Sequence, residues 1–265
     1  LPNDTHADLT NPVLDRMRSG DVALGMNVRL GRSADIARIA KSTGHDFIFV
    51  DVQHGIFDLE TIAHIANAAL ALDIAPLVRV RSVDDPDVSM LLDNGVNGIV
   101  FPDVNTADEA RRAVDTCKFP PVGRRSAGGA MPQFDYRAVP VGDMVAQLNA
   151  STLIVCMIET TEGVENANAI AAVDGVDVLH VGSNDLLLDM GKPGQFDDPA
   201  IIDSQNRVID AAKAHGKFAG CGGNRDIERQ AAIVRRGAQF LTTQTDIAFL
   251  SASARQWTAG IREKL

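Results

Sequence analysis

The chain has 265 residues, 45% of them hydrophobic, which is enough for one large α/β barrel or two small domains. Its formal net charge is −10, and the most basic clusters, Arg111-Arg112, Arg124-Arg125 and Arg235-Arg236, are too short to build the basic patch that nucleic acid requires. No apolar run approaches the ~18 residues of a membrane span, and aromatic residues, at 5%, are too scarce to suggest stacking of bases or sugars.

Cys117, Cys156 and Cys221 are widely spaced, odd in number and form no C-x-x-C pair. They read as reduced thiols of a cytoplasmic protein, with Cys156 and Cys221 as small core residues. The N-terminal "LPNDTHADLT" lacks the basic and apolar regions of a signal peptide, which fits the same expectation.

A short helix is predicted near residues 11–18. The first strand candidate, "VALGMNV", follows, with a helix over 33–41. The second strand, "DFIFVDV", leads to a helix over 58–72, where Ile62, Ile65, Ala66, Ala69 and Leu70 fall on one face and Asp58 is placed to cap. "APLVRV" is followed by a helix over 86–93, and "GIVFPDV" by one over 106–116. A Gly- and Pro-rich connection then runs over 117–150 and reads as a long functional loop. "TLIVCMIE" precedes a helix over 161–172, and "VDVLHVG" precedes one over 199–215. "FAGCGG" precedes a helix over 226–236, and "FLTTQTD" a final one over 247–262.

Most of these eight strands are near-continuous apolar runs, the mark of parallel strands buried on both faces. Eight βα units predict a single (β/α)8 barrel domain over residues 1–265. An open doubly wound sheet is the alternative. Its dinucleotide-binding form is disfavoured because no G-x-G-x-x-G follows the first strand, and there is no P-loop.

In such a barrel the catalytic groups sit at the C-terminal ends of the strands. The strand ends carry Asp51, Gln53 and His54, then Arg79 and Arg81, then Asp103 and Asn105, then Glu159, then Asp185. Glu159 and Asp185 follow adjacent strands. Two carboxylates that close share a proton or bind a cation. With no Cys/His cluster beside them, the donor set is all oxygen and suits Mg2+ or Mn2+. The alternative is two rim acids that cap helices. Arg79 is a candidate anion clamp, with a rim salt bridge as its alternative, and Arg81 is the weaker candidate because it lies near Asp84-Asp85. His54 stands at a strand end beside an acid and a glycine, where a neutral imidazole serves as general base. His45, His64 and His215 read as solvated, and His180 as a satisfied core or rim residue.

The runs "DVQHGIFD", "LVRV", "LLDNGVNGIVFPDVNTADEA", "FPPVGRRS", "MIETTEGVENANAI" and "GVDVLHVGSNDLLLDMG" together resemble the 4-hydroxy-2-oxoheptanedioate aldolase family. These are class II pyruvate aldolases of the phosphoenolpyruvate/pyruvate barrel superfamily, related to the citrate lyase beta subunit. The resemblance runs from about residue 11 to the C-terminal helix. It implies that Glu159 and Asp185 hold a divalent cation (Mg2+, Mn2+ or Co2+), and that Arg79 steadies the pyruvate enolate. It implies His54 as the base, Asp51 as the acid that opens the histidine motif, and Asp93 as an acid that pairs with the histidine of an adjacent subunit. Backbone amides of Gly128-Gly129 and of Asn184-Asp185 are implied to hold the substrate carboxylate. A homohexamer with exchanged C-terminal helices is implied too. The expected reaction is cleavage or formation of a 4-hydroxy-2-oxo acid, giving pyruvate or a related 2-oxo acid plus an aldehyde. No Schiff-base lysine is required, and no strand candidate contains one.

Three positions depart from the family pattern: Gln53 where Glu is common, Ser183 where Pro is frequent, and Met157 where Gln is frequent. They imply a divergent branch. Two other readings keep the barrel. One is a lyase of malyl- or citramalyl-CoA type, or an oxaloacetate decarboxylase. The other is a non-catalytic binder of a small oxo acid. The CoA version requires a basic patch, to which only Arg124-Arg125 is available.

Overall fold

The computed structural model describes residues 9–265, so the first eight residues of the expected domain lie outside the described ones. The chain enters through α1 (Pro12–Arg18), whose N-cap Asn11 accepts a hydrogen bond from the Val13 backbone N–H. The Asn11 side chain also donates to the carbonyls of Asn97 and Ser151. One buried amide thus terminates the helix and ties it to the loops that lead into two strands.

Eight parallel strands follow: β1 (Ala23–Val28), β2 (Phe47–Asp51), β3 (Ala75–Arg79), β4 (Gly98–Phe101), β5 (Leu153–Ile158), β6 (Val178–Gly182), β7 (Phe218–Gly222) and β8 (Phe240–Thr245). Each pairs with its sequence neighbour, and β8 closes on β1, so the sheet is a complete barrel without edges. The helices between them are α2 (Asp35–Ser42), α3 (Leu59–Leu70), α4 (Val88–Asp93), α5 (Ala107–Cys117), α6 (Val141–Ser151), α7 (Thr161–Glu165), α8 (Ala167–Ala171), α9 (Ser183–Asp189), α10 (Pro199–Ala214), α11 (Ile227–Arg236) and α12 (Asp246–Arg262). The capping expected at Asp58 holds, its carboxylate accepting from the Thr61 N–H, and Thr106 with Glu109 adds a capping box that the sequence reading does not name.

Strand side chains alternate between the barrel interior and the helix layer. The outward set, including Ile48, Val50, Val78 and Ile154, packs with the helices in the main core. The inward set forms a second core of Phe47, Phe49, Leu77, Val100, Leu153, Val155 and Phe240, which α1 closes from below with Val13, Leu14 and Met17. Phe47 and Phe240, the first residues of β2 and β8, stack with ring centroids 4.5 Å apart at the lower end of the barrel. The lower half of the barrel is therefore filled, and any chemistry is left to the upper end.

Two helical expectations change. The segment expected as one loop over 117–150 contains a 3-10 turn at Pro132–Phe134 and the whole of α6. Met144 and Leu148 of α6 pack on Phe119, Met131 and Phe134 in a separate small core. The helix expected over 161–172 is two short ones, broken at Asn166, whose side-chain amide donates to the Asn105 carbonyl. All three cysteines are free and buried. Among the described residues, no helix is long and apolar enough to cross a membrane.

Candidate active site

The upper end of the barrel holds a cavity of about 200 Å³ lined by residues from most of the strands. That is below the range of drug-sized pockets and suits a small acid. Strand parity puts the polar residues there. Asp51 pairs in register with Arg79, Met157 with His180, and Gly182 with Gly222, all one or two residues above the apolar interior layers.

Asp51 organises one wall. It is almost fully buried, and its carboxylate accepts from Arg79 Nε at 3.0 Å and Nη2 at 2.7 Å. It also accepts from the backbone N–H of His54 at 3.2 Å. Burial pushes the Asp51 carboxyl up, but the hydrogen bonds and charge of Arg79 more than offset that and hold it below the usual carboxylate range. The turn that brings His54 back over Asp51 requires Gly55, because a Cβ there would lie 2.4 Å from the Asp51 carbonyl oxygen. His54 itself is exposed at the cavity mouth. Arg79 keeps Nη1 outside the ion pair, 4.0 Å from Met157 Sδ.

Glu159 forms a second wall. It is 2% exposed. Its Oε2 accepts from the Asp103 backbone N–H at 3.2 Å, while its Oε1 is buried without a partner among the described residues. Burial pushes its carboxyl up to about 7. Arg79 and the Asp103 amide oppose this, and the charges of Asp103 and Asp185 add to it. Burial and the Asp185 charge raise Asp103 as well. Asp103 sits at φ +52°, a left-handed conformation that non-glycine residues seldom adopt outside functional or turn positions. Gly182 leaves the space that Glu159 needs: a Cβ at that position would meet Glu159 Oε1 at 2.2 Å. Asp185 and Asn184 lie in the first turn of α9, where backbone N–H groups have no carbonyl one turn back to bond.

Four lining residues escaped the strand-end reading. Asn27, Arg29, Thr242 and Arg225 all border the cavity. Asn27 and Thr242 follow Gly25 and Phe240 at the inward spacing of two, so parity would have found them. Arg29 continues the β1 series and donates from Nη2 to the His54 carbonyl at 2.7 Å. Its loop is held by the Asp246 carboxylate, which accepts the N–H groups of Arg29, Leu30 and Gly31. Arg225 follows the glycines of β7 and carries no pattern signal.

The histidine expectations need correction. His180 is core, at 1% exposure, but not satisfied: its ring lines the cavity, Nδ1 has no partner among the described residues, and it meets Phe240 edge-on. Burial, with the Arg79 charge, depresses its pKa to about 3, so it is neutral at ordinary pH. His45 is half-buried rather than solvated, with its ring nitrogens at 3.0 Å from Thr43 Oγ1 and 3.1 Å from Thr243 Oγ1. Arg81 makes the rim salt bridges, to Asp85 and Asp87. Gln53 is half-buried, does not line the cavity, and has an Oε1 without a partner among the described residues.

Asp93, Gly128 and Gly129 do not line the cavity of their own chain. Asp93 ends α4, on the side of the barrel where β4 begins, and accepts from Arg125 Nη2 at 2.6 Å. Gly128 lies beside the same carboxylate. The Arg125 side chain is fully buried over the Phe119 ring, and Arg124 pairs with Asp115. Arg124-Arg125 is therefore no nucleotide-binding patch, which removes the basic feature the CoA reading called on. No Lys occurs in any strand or in the cavity lining. Among the described residues no group of three or more His, Cys, Asp and Glu side chains is gathered as a ready-made metal cage.

The profile of the HpcH/HpaI aldolase/citrate lyase family matches residues 27–252. The chain is 38% identical over 249 residues to a 4-hydroxy-4-methyl-2-oxoglutarate aldolase of Chaetomium globosum, covering 92% of each chain. It is 37% identical over 257 residues to a 4-hydroxy-4-methyl-2-oxoglutarate aldolase of Hapsidospora irregularis, covering 95% of this chain and 94% of the other. The crystal structure of an HpcH/HpaI aldolase from Desulfitobacterium hafniense superposes with a TM-score of 0.90 at 31% identity, over 94% of this chain and 96% of that one. With its closed barrel and its carboxylate and arginine walls, the chain belongs to the HpcH/HpaI aldolase/citrate lyase family.

Proposed function

We propose that this chain is a divalent-cation-dependent aldolase that splits a 4-hydroxy-2-oxo acid between C3 and C4 into pyruvate and a carbonyl compound, or joins the two. The observation that carries the reading is the meeting of two groups in one small cavity. One is a buried carboxylate with an unpartnered oxygen, Glu159. The other is a guanidinium locked by Asp51 with one nitrogen to spare, Arg79.

The residues fit a hard cation. Glu159 Oε1 is buried and unpartnered, its carboxyl is destabilised as an anion, and the charges of Asp103 and Asp185 act on it. The donors are all oxygen, which suits Mg2+, Mn2+ or Co2+ held by Glu159 and Asp185. Bound there, the cation supplies Lewis-acid charge to the carboxylate and keto oxygens of the oxo acid.

The chain does the rest. Arg79 donates from Nη1 to the keto oxygen, which becomes the enolate oxygen as the C3–C4 electron pair moves inward. Asp51 holds the guanidinium in place, so no reorientation is needed at the transition state. His54 takes the C4 hydroxyl proton as the carbonyl product forms. The backbone amides of Asn184 and Asp185 receive the substrate carboxylate. The absence of lysine from the cavity lining fits an enolate rather than a Schiff-base route.

Asp93, Gly128 and Gly129 act across a subunit boundary, Asp93 on the His54 of an adjacent copy, and the assembly is a homohexamer. The bare face of α12 supports the assembly. Of its 17 residues only Asp246 is buried, and Phe249, Leu250, Trp257 and Ile261 are exposed. Three buried free thiols fit a cytoplasmic setting.

The test is pyruvate release from a 4-hydroxy-2-oxo acid with Mg2+, Mn2+ or Co2+, against an EDTA control. Activity undiminished in EDTA would refute the cation-dependent route. Glu159→Ala and Asp185→Ala abolish turnover. His54→Ala slows cleavage more than it slows exchange of the pyruvate methyl protons.

A further inference from the structure

His180 lines the cavity at 1% exposure and takes no part in the chemistry above. A buried polar group is ordinarily hydrogen-bonded, and one that is not calls for a reason. The fold has been shaped around this ring. His180 stands in register with Gly220 of β7, the strand between β6 and β8. A Cβ at Gly220 would lie 2.6 Å from His180 Nδ1, and one at Gly222 would lie 2.7 Å from Nε2. The glycines of "FAGCGG" thus keep β7 bare where the imidazole lies against it, and Phe240 holds the ring edge-on with centroids 5.4 Å apart. Two strands accommodate a side chain whose Nδ1 has no partner among the described residues.

Where the ring proton sits follows from its surroundings. Nδ1 has no acceptor to donate to, so the single proton of the neutral imidazole is on Nε2. Nε2 is also the nitrogen on the cavity side: Gly222 and Thr242 beside it line the cavity, whereas Gly220 beside Nδ1 does not. Burial and the Arg79 charge keep the ring neutral, which leaves it neither a base nor a cation but a donor. Arg79 is close enough for its charge to act on the ring, and its spare Nη1 lies 4.0 Å from the sulfur of Met157, the residue paired with His180. The spare guanidinium nitrogen and the imidazole N–H therefore border the same part of the cavity. A neutral imidazole there polarises a carbonyl that becomes an enolate, with no buried charge of its own to sustain.

We propose that His180 is a further catalytic residue, whose Nε2–H donates to the keto oxygen of the oxo acid beside Arg79 and bonds it more strongly as that oxygen becomes the enolate. The inference rests on the aldolase reading. As the C3–C4 bond breaks, its electron pair becomes the C2–C3 double bond and the carbonyl π pair moves onto the oxygen. The C4 hydroxyl proton goes to His54. The Nε2 proton is shared with the oxygen and stays on the ring, so His180 is neutral before and after the step.

The experiment uses the full chain with Mg2+ and follows exchange of the pyruvate methyl protons in D2O, which reports enolate formation without an aldehyde. His180→Phe keeps an aromatic ring against Phe240 and removes the donor. It lowers kcat for exchange about 100- to 1000-fold, the usual loss for one oxyanion donor, with KM little changed. His180→Gln, whose amide nitrogen falls near the place of Nε2, retains the larger part of the rate. On the wild type, 15N NMR finds the ring proton on Nε2, and binding of oxalate, a planar mimic of the enolate, moves that proton downfield. Exchange by His180→Phe at the wild-type kcat overturns the inference, and so does an equal loss in the Phe and Gln variants, which would make the role one of shape. If oxalate binds and the Nε2 proton does not move, the inference fails and the aldolase reading stands. A wild type that neither exchanges pyruvate protons nor binds oxalate overturns the aldolase reading itself, and the inference with it.

Discussion

Replacing Glu159 by Gln removes a titration that the fold makes expensive. Burial raises the Glu159 carboxyl from its reference of 4.5 to about 7. Between those values the cation-free folded protein holds a proton that the unfolded chain has released. Stability contributed by the neutral form is complete below pH 4.5 and is lost as pH rises toward 7. At 1.36 kcal/mol per unit the whole effect is about 3 kcal/mol, of which about 2 kcal/mol falls between pH 5.5 and 8. Gln keeps the shape and does not titrate. In EDTA, the melting temperature of the wild type should therefore fall relative to Glu159→Gln by ~4 °C across that window, since a chain of this size shifts about 2 °C per kcal/mol. Mn2+ must displace the same proton, so its stabilisation of the wild type grows from pH 6 to pH 8, and Glu159→Gln loses that growth. The assay is differential thermal unfolding of both proteins at several pH values, with and without Mn2+. Parallel wild-type and Glu159→Gln curves in EDTA would show that Glu159 is not a strained acid, and the cation argument would lose its main support.

Removing Asp51 strands a buried guanidinium. Asp51→Ala should cost about 3 kcal/mol in chemical unfolding and lower kcat more than it raises KM, because Arg79 and the His54 turn lose one shared anchor. Gly182→Ala drives a methyl group against Glu159 Oε1; its far-ultraviolet circular dichroism should match the wild type while the Mn2+-dependent rise in melting temperature disappears. His180, depressed to about 3 by burial, should show no NMR titration between pH 5 and pH 8, and a midpoint near 6.5 would mean that its ring is solvated.

The barrel is legible because its strands are buried on both faces and therefore read as apolar runs, and because Asp58 announces its helix. The breaks in that reading have local causes. Pro140 and Gly142 make α6 look like loop, and its helical form rests on Met144 and Leu148 packing against Phe119 and Phe134. Asn166 interrupts the segment after β5 by giving its side chain to Asn105, a partner 61 residues away that no local pattern announces. In the site, Glu159, Asp185, Arg79 and His54 stand at strand ends as expected and line one cavity. His180 and Met157 read as core because they lie in apolar runs, yet they share inward parity with Gly182 and Glu159. The resemblance associates Asp93 and Gly128 with the site, and within one chain they lie elsewhere. Arg225 had no signal because a loop after a glycine-rich strand has neither period nor cap.

The Asp51 carboxylate has a further consequence for how this protein can change over time. The same two oxygens align the arginine and tether the histidine turn, so Arg79 and the His54 turn share one fastening. A substitution that retunes one resets the other, and the pair can drift only together.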